Sequence, residues 1–327
     1  MRLSTSEKQE IIRIVERSEL GVNKTLKELG IHKSTFYKWY HLYLEKGMEG
    51  LVPLKKTRRQ WNSIPEPQKL LVVEVALDHP VLSPRELSVK ITDEQRIFIS
   101  ESSIYRILKE KGLITTPAFI LLSASDHFKN KTQFVHELWQ TDFTYFKILG
   151  WGWYYLSTIM DDYSRYIIHW ELCRTMKAED VERTVEKAMA IAGLQQGQKP
   201  KLLSDNGSCY IATELQEWLK GKGVQHIRGR VHHPQTQGKI ERYHRTMKNI
   251  VKLDHYYRPE ELTGALEKFV NYYNHERYHE SLDNVTPGDV YFGKKEQILR
   301  KRDRIKNQSM RMRRAIYATE KLNTTKS

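Results

Sequence analysis

At Glu137 the hydrophobic period of the chain changes from helical to extended, and that switch limits the folds open to it. Leu138 to Leu149 is rich in aromatic and β-branched residues, and Gly150-Trp151-Gly152 turns it into a second run, Trp153 to Met160. Asp161-Asp162-Tyr163-Ser164 then turns the chain into Arg165 to Leu172. Three short strands joined by tight turns predict an antiparallel meander. Beyond it the pattern predicts a helix over Ala178–Ala192, closed by Gly193, and a brief apolar strand, Lys201–Ser204, stopping at Asp205-Asn206-Gly207. A helix near Thr213–Lys220, a strand Val224–Ile227 and a helix from about Thr236 to Val251 follow. Strands that alternate with helices after a meander make a mixed α/β layer of five strands.

The residues before the switch read as small all-α units. Ser4 and Glu7 have capping-box spacing ahead of Ile11, Ile12, Ile14 and Val15 on a helical face. A short helix, Lys24 to Leu29, ends at Gly30, whose missing Cβ suits the left-handed conformation of a helix C-terminus. A second helix, Ser34 to Leu44, turns Phe36, Trp39 and Tyr40 inward. The pair has the form of a helix-turn-helix, with Lys33, Thr35 and Lys38 available to a major groove. A plain bundle with solvated lysines has the same pattern. Ser83-Pro84-Arg85-Glu86 joins an N-cap, a proline at the first helical position and a capping glutamate, and Ser103–Lys111 predicts a further helix. These form a second helix-turn-helix with a longer connection. The expected divisions are helix-turn-helix units over 1–52 and 69–114, a basic linker over 53–68 and a connector over 115–136. An α/β block with a helical extension follows over 137–292, and a basic tail over 293–327.

Charge narrows the class of partner. Fifty-four Lys and Arg face 40 Asp and Glu, a formal +14, which favours a polyanion, nucleic acid above all. The proline-flanked run Lys55, Lys56, Arg58, Arg59 is suited to lie along phosphates, and so are Arg311, Arg313 and Arg314 in a tail of net +9. Cys173 and Cys209 are too few for a disulfide framework or a cysteine-based zinc module. No stretch reaches the roughly 18 apolar residues of a membrane span. Met1-Arg2-Leu3-Ser4 runs into a charged pattern without the apolar core of a signal peptide. The expectation is a reducing, intracellular, soluble setting, with no membrane and no disulfides.

Three carboxylates stand at telling places. Asp142 lies in the first strand, on the face opposite Thr141 and Phe143. Asp205 ends a buried-type strand, where an α/β sheet opens its crevice. Glu241 is in the first turns of the helix after His233-Pro234-Gln235-Thr236-Gln237-Gly238, with 35 residues between it and Asp205. An isolated acid at such a place usually caps a helix or pairs with a lysine. Three brought together repel, and a hard divalent cation relieves the conflict. Two such ions about 3.5–4 Å apart can activate an attacking oxygen and stabilise a leaving one. Asp161 and Asp162 read as turn residues, and His232 and His233 as a polar loop.

Residues 137 to about 292 resemble the integrase catalytic core of bacterial insertion-sequence transposases, in the DDE superfamily that includes retroviral integrases. The likeness is carried by Trp139-Gln140-Thr141-Asp142-Phe143-Thr144, Asp161-Asp162-Tyr163-Ser164-Arg165 and Ser204-Asp205-Asn206-Gly207. It continues through His233-Pro234-Gln235-Thr236-Gln237-Gly238-Lys239-Ile240-Glu241-Arg242, Asn271 to His279 and Thr286-Pro287. The resemblance implies a ribonuclease-H-like core, a mixed five-stranded sheet with helices. It maps Asp142, Asp205 and Glu241 onto three catalytic acids that hold two Mg²⁺ ions, with Mn²⁺ able to substitute. Lys248, and Arg245 at the intervening step, share the helical face of Glu241 where the family touches substrate DNA. The helix-turn-helix units fill the place of the retroviral zinc module, so His275 and His279 are poor zinc candidates.

The function so implied is binding of transposon-end DNA, strand cleavage at each end and transfer of the exposed 3′-OH to target double-stranded DNA. Pairing two ends implies a homo-oligomer on DNA, a dimer or tetramer, with an accessory transposon protein as a further partner. A DNA-binding regulator with a silent core, and a ribonuclease-H-like nuclease that cuts without joining, remain the alternatives.

Overall fold

β1 (Leu138–Ile148) is the spine of the sheet, antiparallel to β2 (Gly152–Asp161) on one side and parallel to β4 (Lys201–Ser204) on the other. β3 (Ile167–Cys173) extends the meander beyond β2, and β5 (His226–Arg228) pairs parallel with β4, giving the order β3-β2-β1-β4-β5. The computed structural model describes residues 5–18, 20–52, 60–114, 132–194, 198–229, 237–252 and 254–326. Gly150 and Gly152 turn β1 into β2 at φ of +77° and +89°, a region that side chains with a Cβ rarely enter.

Alternation along β1 sends successive side chains to opposite faces. Phe146 and Ile148 join Tyr154, Leu156 and Met160 of β2 under α11 (Gly238–Val251) and α12 (Pro259–His275). Trp139 and Ile159 face the other way, into a core with α8 (Ala178–Ala192), α9 (Ser208–Ile211) and α10 (Thr213–Gly221). Asp142 has the parity of Phe146 and Ile148, so it points to the side that carries α11. Ile240, Tyr243, Met247 and Val251 anchor α11 at helical spacing.

Asn274 ties α12 to the meander. Its side-chain oxygen accepts from the Ile167 N–H at 2.9 Å and its amide donates to the Ile167 carbonyl at 3.0 Å, all three groups buried. Asn274→Ala strands both backbone groups, each costing about 1–3 kcal/mol. A loss of about 2–6 kcal/mol is expected in urea unfolding of the full chain, with Asn274→Gln recovering little because its amide is displaced by a methylene.

The chain divides into two units, residues 64–313 and residues 1–63 with 314–327. In the latter, α1 (Thr5–Arg17), α2 (Val22–Glu28), α3 (Lys33–Lys46) and α4 (Met48–Leu51) enclose Ile12, Val15, Leu26, Phe36 and Leu51. Gly30 takes φ +66° between α2 and α3, as a left-handed helix terminus requires, and the Ile31 N–H closes onto the Leu26 carbonyl at 2.9 Å. In the larger unit, α5 (Glu66–Asp78), α6 (Pro84–Gln95) and α7 (Glu101–Glu110) form their own core around Val72, Leu87, Ile91, Ile99 and Ile104. The Ser83–Glu86 capping box opens α6 in both directions.

The expected basic tail is largely one helix, α14 (Lys295–Lys326), which follows the short α13 (Pro287–Tyr291). Ile305, Ser309 and Arg313, spaced by four, are buried on one face of it. Ser309 Oγ accepts from the Phe98 N–H at 2.9 Å, and Arg313 donates to the Phe98 carbonyl at 2.6 Å. Arg302 grips Asp93 with two hydrogen bonds, at 2.6 and 2.8 Å. Polar side chains bind this helix where apolar ones are sparse.

Candidate active site

The parallel pairing of β1 with β4 brings two of the acids near one another. Gln140 pairs with Leu203, the last such pair, and Asp142 and Asp205 each lie two residues beyond it, near enough for the charge of Asp142 to act on Asp205. Neighbouring strands run about 4.8 Å apart. Burial holds the Asp205 carboxyl above its ordinary value, the Gly207 N–H pulls it back at 2.8 Å, and the charge of Asp142 raises it further. Burial likewise pushes the Cys209 thiol up to about 11, with Asp205 and Asp142 adding to the rise. Two carboxylates therefore share one field at the open end of the sheet.

Glu241 arrives from the helical side. It is exposed in the first turn of α11, where the positive end of the helix dipole favours an acid. The Ile240 N–H donates to Gln140 Oε1 at 3.1 Å, fastening the start of the helix to β1 two residues before Asp142. Asp142 and Glu241 line one cleft of about 710 Å³ with His244, Arg245, Lys248 and Lys252. Asp205 is not part of that lining.

His244 is buried between Asp142 and β2. Its Nδ1 lies 3.2 Å from Asp142 Oδ2 and its Nε2 3.3 Å from Thr158 Oγ1. A carboxylate only accepts, so Nδ1 donates to Asp142, and Nε2 shares a hydrogen bond with the Thr158 hydroxyl. Thr158 is also the direct cross-strand partner of Asp142. His244 was not singled out from the sequence, although its place three residues after Glu241, on the same helical face, was signal enough.

Three carboxylates are hard oxygen donors, the type magnesium takes. Magnesium commonly binds through one or two carboxylates, leaving waters and phosphate to complete its shell. Among the described residues no group of three or more His, Cys, Asp or Glu side chains stands ready to hold an ion. Asp142 and Glu241 line one cleft as oxygen donors, with Asp205 outside its lining.

Of the residues expected to meet DNA, Arg245 is exposed and Lys248 half-buried at the cleft. Burial lowers the Lys248 ammonium, and Lys252 adds to that. Lys33, Thr35 and Lys38 are exposed on α3, and Arg311 and Arg314 on α14, where Arg314 lies 4.5 Å over the Trp61 ring. Arg313 does not fit its expected role. It is 5% exposed and bound to Gln68 and Phe98, so its charge is turned inward and not toward phosphate. Lys55, Lys56, Arg58, Arg59, His232 and His233 lie outside the described residues.

The turn acids are more deeply placed than their sequence context suggests. Asp161 accepts from the Ser164 and His136 N–H groups and from the Ser164 hydroxyl, and burial raises its carboxyl. Asp162 accepts from Gln140, Lys239 and Thr132. Both cysteines are buried free thiols, and no helix among the described residues is long and apolar enough to cross a membrane.

His279 gives the larger unit an acid sensitivity. Burial pushes its imidazole down from 6.5 to about 3, and Arg277, Arg165 and Arg85 push the same way. Its Nε2 is buried without a hydrogen-bond partner. The unfolded chain takes up this proton first, so the stabilisation is whole above pH 6.5 and is lost as pH falls toward about 3. The melting temperature of His279→Phe is expected to decline less than that of wild type across this window.

The mixed five-stranded sheet with its helices, bearing one acid within its first strand, one just after its fourth and one on α11, has the ribonuclease-H-like architecture of an integrase core. The integrase core domain family matches residues 134–234, and a second integrase core domain family matches residues 222–287. Homeodomain-like families match residues 2–52 and 35–108. A transposase-like protein of Haemophilus influenzae is 30% identical over 153 residues, 46% of this chain and 69% of that protein. InsK of insertion sequence element IS150 from Escherichia coli K12 is 28% identical over 153 residues, 46% of this chain and 53% of that protein. The HTLV-2 integrase catalytic core domain, solved with magnesium, shares 20% identity over 48% of this chain and 97% of its own, at a TM-score of 0.40. The chain belongs to the insertion-sequence transposases of the DDE and retroviral-integrase superfamily, with helix-turn-helix domains ahead of the core.

Proposed function

We propose that this chain is an active transposase that cuts transposon-end DNA and joins the exposed 3′ end to target DNA, with Asp142, Asp205 and Glu241 holding Mg²⁺ at the phosphodiester. The observation that supports this reading is the pairing of β1 with β4 up to two residues before Asp142 and Asp205, whose charges interact, with the first turn of α11, which bears Glu241, fastened to β1 through Ile240 and Gln140. Bound magnesium supplies charge stabilisation for the attacking and leaving oxygens. His244 orients the Asp142 carboxylate, and Arg245, Lys248 and Lys252 draw the phosphate backbone into the cleft. No side chain is required as a nucleophile, so no covalent link between protein and DNA forms. Lys33, Thr35 and Lys38 read the transposon end, and Arg311 and Arg314 hold phosphates without reading sequence. Two ends in one complex call for a dimer or tetramer on DNA, in the cytoplasm at the nucleoid, with an accessory transposon protein as a candidate partner.

The test is incubation of the purified chain with labelled DNA from the ends flanking its own gene, with Mg²⁺ or with EDTA. Mg²⁺-dependent nicking at the end and joining into a second duplex are expected. Nicking without joined product would make the chain a nuclease. Tight end binding with no cleavage in any divalent metal would make it a regulator.

A further inference from the structure

The distal half of the β1–β2 hairpin carries an aromatic face that the cores do not use. Past Thr144, Phe146 and Ile148 are buried beneath α11 and α12, while Tyr145 and Lys147 alternate outward. Lys147 stands directly across from Trp153. Tyr145 and Trp153 are each 51% exposed, although neither core needs them to close. Their rings meet edge to face, with centroids 5.4 Å apart and planes at 76°. Lys147 Nζ lies 5.9 Å from the Trp153 ring, and Lys248 Nζ reaches from α11 to 4.5 Å from the Tyr145 ring. Tyr145 also lines the cleft of Asp142 and Glu241, so this face opens onto the candidate catalytic groove.

Half-exposed rings interleaved with ammonium groups match the chemistry of unpaired nucleotides. Each base offers a π face for stacking, and each phosphate a charge for lysine. A paired base inside a duplex hides its faces and presents only its edges. A protein partner fits less well, since lysine is depleted from the buried centres of protein interfaces.

We propose that Tyr145 and Trp153, with Lys147 and Lys248, form a stacking platform for one or two unpaired nucleotides of the DNA strand that passes through the catalytic cleft. The platform rests on the strand-transfer reading, which brings a strand end to Tyr145. It favours frayed or overhanging ends over blunt ones.

The test uses the full chain and duplexes carrying one 5-iododeoxyuridine, either in a short single-stranded overhang or inside the duplex. Irradiation of the overhang substrate is expected to crosslink Trp153 or Tyr145, mapped by mass spectrometry, and the duplex-internal label neither. Trp153→Ser should weaken overhang binding by roughly tenfold and blunt-duplex binding by less than about twofold, while Trp153→Tyr restores most of the overhang affinity. An unchanged melting temperature of Trp153→Ser excludes misfolding as the cause. Crosslinks elsewhere, or equal loss on both substrates, would overturn the platform. So would a Trp153→Ser variant that falls apart into smaller assemblies in sedimentation while binding overhangs normally, which would make the face a contact between copies. Cleavage by the same wild-type preparation is scored separately. Cleavage without overhang preference removes the platform and leaves the catalytic reading, whereas stacking without cleavage does the reverse.

Discussion

Asp142→Asn is expected to lower Mg²⁺-dependent strand cleavage by about a thousandfold or more, with end-DNA affinity and folding intact. The carboxylate lies two residues past the last β1–β4 pair, as Asp205 does, and its charge is one of the causes that raise the Asp205 carboxyl. An amide of the same shape still accepts from His244 Nδ1, so the local packing survives. What it removes is a full negative charge facing the phosphate, and with it the hard ligand magnesium prefers. A thousandfold loss corresponds to about 4 kcal/mol of transition-state stabilisation. The same substitution relieves the repulsion on Asp205, so the metal-free variant should melt at or above the wild-type temperature. Addition of Mg²⁺ should raise the melting temperature of wild type and leave the variant unmoved, because a ligand stabilises only the state that binds it. A sharp fall in melting temperature would recast Asp142 as structural, and retained cleavage would remove it from the site.

Much of this site could be seen before any coordinates. Alternation set the side to which Asp142 points, and the strand bounded at Ser204 placed Asp205 at its open end, because both depend only on local period and on turn chemistry. The β5 segment is harder to delimit. Val224–Ile227 was expected, whereas His226–Arg228 pairs with β4, since register against a parallel neighbour is not a local property. The last helix shows where hydropathy fails. Ser309 and Arg313 are polar by any scale, yet they are buried and hydrogen-bonded to Phe98, so the packed face carries no apolar stripe to read. The burial of Asp161 and Asp162 escapes for the same reason. A turn motif predicts the bend, but partners that offset the burial come from His136, 25 positions from Asp161, and from Gln140 and Lys239, 22 and 77 positions from Asp162.

Those partners support the second large effect, for Lys239→Met. Lys239 donates to Asp162 Oδ2 at 2.6 Å and to the Asp162 carbonyl at 2.9 Å, while Asp162 Oδ1 accepts from Gln140 Nε2 at 2.6 Å. The other end of the Gln140 amide holds the Ile240 N–H. One chain of hydrogen bonds thus runs from the β2–β3 turn through β1 to the residue beside Glu241. Methionine fills the space of lysine but leaves the Asp162 carboxylate, 8% exposed, without its cation. Stranding a buried charge costs about 3–5 kcal/mol, and the first turn of α11 loses its direct tie to the β2–β3 turn, whose Asp162 also holds Gln140 of the strand bearing Asp142. Cleavage should fall by about a hundredfold with the apparent Mg²⁺ requirement shifted upward, because Glu241 no longer meets the ion at a fixed place. Asp162→Asn in the Lys239→Met background removes the stranded charge and should recover most of the stability. It should recover little of the cleavage, since the amide does not restore the tie. A double variant that regains both would show that Lys239 serves only the fold, and that Glu241 keeps its position without it.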